Sequence, residues 1–291
     1  MAFYIELADI LVEIEPAVPE TESFFRDYIV SGSDAHSMSG SDVNIVSGLD
    51  VHSMDGSDAH SMSGSEKGSA AEAVWQNEKK CIKIHVSEEA LAKERQLARE
   101  AGSSAAVRAD YLETLAILRQ IADQLPEYDR LLCHGAVITW KDRAFMFTAP
   151  SGTGKSTHIA LWRRYLGSDV QIVNGDKPIL AVKPSVTEAC GTPWSGKEHW
   201  HRNRKAPLGG ICILRQADKN HIRRLEAAQA LPYLMGQIYF PAAVKTADQT
   251  LALLDRLLKN VPVYLLECNI SEEAVRCSFE AMTGMKMPER P

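Results

Sequence analysis

The residues best suited to chemistry lie in the middle of the chain, where residues 147–157 read FTAPSGTGKST. A phosphate-binding loop is commonly spaced G-x-x-x-x-G-K-[ST]. Here Ala149 takes the place of the first glycine, and the later Gly-Lys-Ser is kept. The main-chain amides that cradle a phosphate follow Ser151, so this substitution leaves the mechanism intact. The spacing predicts a nucleotide-binding loop, with a Gly/Ser turn that caps an ordinary helix as the alternative.

Each position of the loop suggests a role. Gly152 and Gly154 can adopt backbone conformations that are closed to other residues. The ammonium group of Lys155 can reach the terminal phosphates, and the hydroxyl group of Ser156 or Thr157 can bind Mg²⁺. The predicted nucleotide-binding residues are Ser151, Gly152, Thr153, Gly154, Lys155, Ser156 and Thr157.

Asp176 is a candidate catalytic acid, because it follows a short apolar strand at 170–173. A carboxylate at the end of a sheet strand lies where such sites commonly assemble. It could bind Mg²⁺ through water, which makes Ser156 and Asp176 the candidate metal ligands. It could also accept a proton from an attacking hydroxyl group. The alternative is an ordinary turn aspartate in Asn-Gly-Asp.

His134 is a candidate catalytic residue because of its predicted strand register. If Lys141 and Asp142 form a two-residue hairpin turn, His134 faces Ala149 across the strands. The histidine would then lie beside the mouth of the loop. The alternative is a core histidine whose ring nitrogens form hydrogen bonds with the backbone.

The segment at 191–210, GTPWSGKEHWHRNRKAPLGG, combines glycines, two tryptophans and several basic residues. A mobile basic segment could clamp phosphates or dock an acidic acceptor. Long loops without repetition are usually functional, although a solvated connection is the alternative. The candidates in this segment are Lys197, Glu198, Arg202 and Arg204.

Composition divides the chain into four parts. Residues 1–30 are rich in strand formers and predict a small N-terminal β element, as a hairpin or sheet edge. Residues 31–70 repeat an octapeptide such as SGSDAHSM, whose composition buries too little apolar surface to offset chain entropy, so we expect a disordered insertion. Residues 71–124 predict a strand and helices that lead into the core. Residues 125–291 predict a P-loop kinase core.

Within this core, strands alternate with helices, which predicts an α/β fold with a mixed sheet and flanking helices. The predicted strands are 131–140, 143–149, 170–173, 210–214 and 261–268, and the predicted helices run from the loop to Gly167, over 225–237 and 246–260, and from Ser271 to a terminator at Gly284. Before the core, we expect a strand at 80–86 and helical periodicity over 88–123.

These features together resemble a known family. The strand with Cys133-His134-Gly135, the hairpin, the SGTGKST loop and the following strand with Gly-Asp are similar to the HPr serine kinase/phosphorylase family. That family shares its fold with ATP-dependent phosphoenolpyruvate carboxykinases. The chain most resembles the HPr-kinase-related proteins of bacterial peptide-modification gene clusters. The resemblance covers about residues 125–215 and implies a P-loop kinase of the HPr kinase C-terminal domain type.

The resemblance also implies residue roles: Lys155 would contact the β- and γ-phosphates, Ser156 would hold Mg²⁺, Asp176 would be the acidic catalytic residue and His134 would line the site. The family usually has two adjacent acids after the strand, whereas Asp176 lies between a glycine and a lysine. The missing acid argues against the phosphorylase activity by which the family reverses its kinase reaction. It also argues against assigning HPr as the substrate.

The leading interpretation is an ATP-dependent kinase that uses Mg²⁺ and transfers the γ-phosphate to a serine hydroxyl group of a protein or peptide. In such chemistry, positioning and electrostatics supply most of the catalysis. One alternative is a non-catalytic ATP-binding regulatory module, which the missing second acid favours. The other is a phosphoenolpyruvate carboxykinase-like enzyme, although no segment matches the separate substrate domain of that family.

Composition limits the partners of the chain. A formal net charge of −6 argues against an extended nucleic-acid surface. The sequence contains no run of about 18 apolar residues, which a membrane-spanning helix would need. Six dispersed cysteines without a C-x-x-C pair indicate a reduced, cytoplasmic protein. Because related kinases form oligomers, a homo-oligomer is a possible assembly.

Overall fold

The computed structural model of the chain describes residues 2–31, 81–100, 102 and 107–288. Apart from Ser31, the predicted insertion at 31–70 lies outside the described residues, so the expectation of a disordered linker stays a prediction. Within the described ranges, no helix is long and apolar enough to cross a membrane.

The N-terminal residues form a small three-stranded sheet. Strands β1 (Phe3–Leu7) and β2 (Ile10–Glu15) are antiparallel. Ala8 and Asp9 connect them with φ angles of 52° and 65°, as a tight hairpin turn requires. Strand β3 (Cys81–His85) pairs with β2 in parallel. The predicted hairpin and the strand predicted after the insertion are confirmed.

Two helices follow where helical periodicity was expected, α1 (Glu88–Glu100) and α2 (Ala109–Gln124). A buried carboxylate on α2 joins them to the N-terminal part. Glu113 accepts hydrogen bonds from the backbone N–H groups of Ala17, at 2.6 Å, and Val18, at 3.1 Å. These bonds anchor the entrance to a 3₁₀ helix at Pro19–Tyr28.

The larger part of the described chain is a mixed sheet with helices on both faces. Its strands are β4 (Arg130–Leu132), β5 (Ala136–Trp140), β6 (Arg143–Thr148), β7 (Val170–Asn174), β8 (Ile179–Val182), β9 (Thr187–Cys190), β10 (Lys205–Gln216), β11 (His221–Leu225) and β12 (Val263–Cys268). Its helices are α3 (Lys155–Leu166), α4 (Ala227–Met235), α5 (Val244–Asn260) and α6 (Glu272–Thr283). The strand order is β4-β8-β9-β10-β6-β5-β7, and β12 and then β11 continue from β10. The predicted α/β class, mixed sheet and flanking helices are confirmed.

Strand directions bring several chain ends to one edge of this sheet. Strands β6, β10 and β12 are mutually parallel, and β5 lies antiparallel between β6 and β7. The carboxyl ends of β6, β7, β10 and β12 therefore meet at the same edge, which we call the loop edge. Polar residues that follow these strands are close together for this reason.

Aromatic and aliphatic cores fill the two faces of the sheet. On one face, Trp162 of α3 packs against Phe279 of α6, with ring centroids 5.5 Å apart. On the other face, Leu254 of α5 lies in one cluster with Leu265 of β12. The strands are thus buried on both sides, which explains their nearly continuous apolar runs.

The predicted hairpin register is confirmed, but the strand predicted over 131–140 is wrong as a single element. Ala136 pairs with Phe147 and Trp140 with Arg143 around the two-residue turn. The chain breaks at Cys133–Gly135 because β4 pairs with β8 whereas β5 pairs with β6 and β7. At the break, the N–H group of His134 donates to the carbonyl of Gln237 at 2.7 Å.

Strand β10 is longer than the predicted 210–214 because its first residues pair with β9 before the rest pairs with β6 and β12. Residues 205–210 therefore belong to a strand and not to the predicted mobile segment. Strands β8, β9 and β11 were not predicted. The end of the chain is as expected: Ser271 caps α6 through its hydroxyl group, and Gly284 ends the helix with a φ of 70°.

Candidate functional site

The residues between β6 and α3 form a tight loop at the loop edge. Gly152 and Gly154 have φ angles of 80° and 113°, in the region that favours glycine. Thr153 N–H donates to the carbonyl of Pro150 at 3.3 Å, which closes the turn. Because α3 begins directly after Gly154, its first amides and the positive end of its dipole lie at the loop.

Lys155 is the first residue of α3, and its side chain is largely buried. The ammonium group donates to the carbonyl of Ala149 at 2.9 Å and lies 3.4 Å from that of Pro150. Burial lowers the pKa of Lys155, and the negative charge of Asp176 opposes that change. The cation therefore lies under the loop and within electrostatic reach of the neighbouring carboxylate.

A buried asparagine shapes the turn that carries Asp176. The side-chain oxygen of Asn174 accepts hydrogen bonds from the N–H groups of Asp176, at 2.8 Å, and Lys177, at 2.7 Å. Its side-chain nitrogen donates to the carbonyl of Thr192 at 2.8 Å. Sequence reasoning missed Asn174 as a positioning residue, although an asparagine before Gly-Asp is a known turn signal.

His134 reaches the same carboxylate from the break between β4 and β5. Its Nε2 atom lies 3.3 Å from Oδ1 of Asp176, and the carbonyl of Asp176 accepts a bond from Gly135 N–H at 2.9 Å. The carbonyl of His134 in turn accepts a bond from the hydroxyl group of Thr148, at 2.7 Å. The structure therefore brings Lys155, Asp176 and His134 together at the loop edge.

Asp176 is ionised at neutral pH. Its burial alone would raise its pKa, but the hydrogen bond from His134 and the positive charge of Lys177 outweigh burial and lower the pKa to about 2. The ammonium group of Lys177 lies 3.0 Å from Oδ2. Two partners thus hold this carboxylate in one orientation.

The chain at 191–204 is packed at several points, and this corrects the expectation of a mobile clamp. Trp194 is buried, its ring centroid lies 5.5 Å from that of Phe25, and its indole N–H donates to the carbonyl of Thr114 at 3.1 Å. Further along, Arg202 N–H donates to the carbonyl of Val173 at 2.9 Å. An aromatic anchor and backbone pairing with β7 therefore hold the segment.

Glu198 is the candidate in this segment that approaches Asp176. A Cβ atom built on Gly196 would lie 3.7 Å from Cγ of Asp176 and 3.7 Å from Oε2 of Glu198. Gly196 has a φ of 78°, so the chain turns between the two acids. The side chains of Asp176 and Glu198 therefore both lie close to Gly196.

The basic candidates of the segment lie elsewhere. The guanidinium groups of Arg202 and Arg204 contact the side-chain oxygen of Gln171, at 3.4 Å and 2.7 Å. Gln171 lies near the start of β7, at the end of the strand opposite Asp176. Lys197 is exposed. The structure does not bring Arg202 and Arg204 to the Lys155–Asp176 pair.

Two cavities flank the loop. One, of about 820 Å³, lies beside Thr157 and the carboxyl ends of β10 and β12. The other, of about 580 Å³, lies beside Ser151 and Tyr233. Gln216, which lines both cavities, donates to the carbonyl of Thr153 at 3.2 Å and so ties β10 to the loop. Sequence reasoning did not identify Gln216, because only the fold places it beside the loop.

The oxygen donors at the loop edge suit a hard cation. Asp176 supplies an ionised carboxylate, and Ser156 supplies a hydroxyl group in the first turn of α3. Among the residues that the structure describes, no group of three or more His, Cys, Asp or Glu side chains is arranged to hold a metal ion. This donor set fits Mg²⁺, which is usually held by one or two carboxylates together with substrate phosphates and water.

Comparison with known proteins gives one family match. The family described as SynChlorMet cassette protein ScmC matches residues 99–275, more than half of the chain. Among solved structures, the HPr(Ser) kinase/phosphatase from Coxiella burnetii aligns at 11% identity and a TM-score of 0.29, covering 53% of this chain and 93% of that chain. No curated protein sequence matches the chain.

Proposed function

The chain belongs to the SynChlorMet cassette protein ScmC family, and we propose, from the geometry of the loop edge, that it is an ATP-dependent kinase of the P-loop type. It transfers the γ-phosphate of ATP to a serine hydroxyl group of a protein or peptide. The observation that carries the proposal is that a largely buried Lys155, at the start of a helix, lies within electrostatic reach of an ionised Asp176, which follows β7 at the same edge of the sheet.

Phosphate binding follows from the loop. The residues from Ser151 to Thr157 offer backbone N–H groups, the positive end of α3 and the Lys155 ammonium group to one anion. Carbonyl oxygens of the loop already hold the lysine in place, so little rotamer freedom is lost when a phosphate binds. The loop therefore offers one binding site for phosphate oxygens.

Magnesium fits the same edge of the sheet. Ser156 and Asp176 are the residues that would hold it, with Glu198 as a nearby second carboxylate. When bound, Mg²⁺ supplies positive charge that offsets the charge of the phosphate oxygens. Glu198 is the carboxylate of the 191–204 segment that lies near Gly196, beside the Asp176 side chain.

Asp176 acts on the acceptor. The serine oxygen forms a bond to the γ-phosphorus as the bond from phosphorus to the β,γ-bridging oxygen breaks, and ADP leaves. The serine proton passes to the carboxylate of Asp176. Because a carboxylate with a pKa of about 2 is a weak base, its main effect is to orient the hydroxyl group. His134 is a positioning residue, since its ring fixes one carboxylate oxygen.

A non-catalytic ATP-binding module is the second candidate, and one observation favours it. Both oxygens of Asp176 already have partners, His134 and Lys177. If Lys177 keeps its ion pair with Asp176 when ATP binds, the carboxylate has few free lone pairs with which to accept a hydrogen bond from an acceptor hydroxyl group. Tight ATP binding without phosphate transfer to any peptide would identify this module.

The kinase proposal is tested by incubating the full chain with γ-labelled ATP, Mg²⁺ and candidate serine peptides. We expect Lys155→Ala to lower transfer at least about 100-fold, because the phosphates lose their main cation. The matched control is Lys259→Ala, since Lys259 is exposed and pairs with Asp255 on α5. Wild-type transfer by the Lys155 variant would remove the loop from the mechanism.

A further inference from the structure

The larger cavity beside the loop, of about 820 Å³, is not explained by phosphate binding alone. Its walls include Gly152 and Thr157 from the loop side and Leu214, Cys268 and Ile270 from the ends of β10 and β12. We infer that this cavity binds the nucleoside half of the ATP molecule. The inference rests on the proposed function, and it assigns the residues that distinguish a nucleotide from a bare polyphosphate.

The order of the strands separates the two ends of the nucleotide. Asp176 follows β7 and His134 precedes β5, both on one side of β6, and the loop follows β6 itself. Strands β10 and β12 lie on the other side of β6. A triphosphate held by the loop with its γ-phosphate toward Asp176 therefore directs its nucleoside toward the cavity. Ligands commonly bind beyond the carboxyl ends of parallel strands.

Hydrogen bonds hold the far wall of the cavity in shape. The segments after β10 and β12 are joined through Asn220 and Asn269: Asn269 N–H donates to the side-chain oxygen of Asn220 at 3.1 Å. The side-chain nitrogen of Asn269 donates to the carbonyl of Asp218 at 2.9 Å. Gln216 links the same wall to the loop. The wall and the phosphate site therefore form one connected unit.

The chemical character of the cavity suits a flat heterocycle. Ile270 is 76% exposed beside the cavity, and Leu161, Leu214 and Cys268 add apolar surface. Backbone and amide groups near Asp218 and Asn269 supply a polar rim. The volume lies within the range of about 300–1,000 Å³ that is usual for small-molecule sites. A base placed against Ile270 would remove an isolated apolar side chain from water.

The smaller cavity beside Tyr233 is the competing location, because it also borders Gly152 and Thr153. It lies on the opposite face of the same strands, next to α4. It does not include Thr157 or the first turns of α3. The larger cavity does include them, and we therefore place the nucleoside there.

The test compares Mg·ATP with inorganic tripolyphosphate in calorimetric titrations of the full chain. We expect Ile270→Ser to weaken ATP binding about fivefold to tenfold, because a buried apolar contact is lost. Binding of tripolyphosphate should stay unchanged, since that probe has no nucleoside. Val244→Ser is the matched control, because Val244 is also 76% exposed and lines neither cavity. Lys155→Ala should weaken both probes.

The possible outcomes separate the inference from the proposed function. If Ile270→Ser leaves ATP binding unchanged, or if Tyr233→Ser weakens ATP binding selectively in its place, the nucleoside assignment is overturned while phosphate binding stands. If neither ATP nor tripolyphosphate binds the wild-type chain, the proposed function fails and the inference fails with it. Selective loss of ATP binding in Ile270→Ser supports the assignment.

Discussion

At the scale of a single residue, His158 shows how burial changes the pKa of a side chain near the loop edge. The residue follows the loop by one turn of α3 and is buried against Phe147, with ring centroids 4.8 Å apart. Its Nε2 atom lies 3.0 Å from the hydroxyl oxygen of Ser278 on α6. Burial lowers the pKa of His158 to about 3, so the ring is neutral in the folded protein.

This histidine predicts a pH dependence of stability. Between about pH 6.5 and pH 3 the unfolded chain binds a proton at His158 that the folded chain does not bind. The free energy of unfolding therefore decreases as the pH falls through this window, by about 1.4 kcal/mol per pH unit from this site. Chemical denaturation at several pH values measures the slope.

His158→Gln should remove that share of the slope, because glutamine does not titrate. The control is His85→Gln, since the side chain of His85 is 72% exposed. Parallel stability curves for the wild type and His158→Gln would contradict the assignment of a neutral buried ring.

Sequence reasoning found Lys155, Asp176 and His134, and the structure places all three at one edge of the sheet. Local spacing was enough for these residues, since each lies within a short strand or loop pattern. Glu198 was selected for its charge, but its approach to Asp176 depends on the turn at Gly196 and on distant packing. No local pattern indicates that the two side chains both lie close to Gly196.

At the scale of elements, the loop and α3 act as one unit, and Gly154 joins them. Its φ of 113° is strained for any residue with a Cβ atom, although a Cβ atom there would meet no other atom within 4 Å. The strain of Gly154→Ala is therefore confined to the backbone and costs about 1–3 kcal/mol.

We expect Gly154→Ala to weaken Mg·ATP binding at least about tenfold while the chain stays folded, because the loop must leave its present conformation to relieve the strain. Calorimetric titration and circular dichroism measure the two effects. Gly236→Ala is the matched control, since Gly236 has a φ of −76° and ends α4. Equal ATP affinity in the wild type and Gly154→Ala would show that the loop conformation is not needed.

The element predictions succeeded where periodicity and turn signals agreed. The hairpin register, the start of α3 and the ends of α6 belong to this class. They failed where tertiary pairing divides or extends a strand. The apolar run at 131–140 gives no sign that its first residues pair with β8. Pro207 is unfavourable within a strand, so the sequence does not predict that the first residues of β10 pair with β9.

At the scale of the whole molecule, the N-terminal sheet and the site share one core. The cluster that contains Ile5 and Ile82 also contains Leu132 and Trp194. Lys205 of β10 bonds to Asp9 in the first hairpin turn, at 2.6 Å. The N-terminal part therefore supports the segment at 191–204, which in turn packs against the Asp176 turn. The N-terminal sheet and the central sheet therefore both contact the segment that lies beside the site.

In the proposed kinase mechanism, Asp176 orients the acceptor hydroxyl group while the loop holds ATP. The most direct measurement is single-turnover transfer from γ-labelled ATP by Asp176→Asn, together with its Mg·ATP affinity. We predict that transfer at saturating Mg·ATP falls at least about 100-fold, while Mg·ATP still binds through the loop with an affinity that is weakened because one Mg²⁺ ligand has lost its charge. Transfer at the wild-type rate by Asp176→Asn would contradict the account.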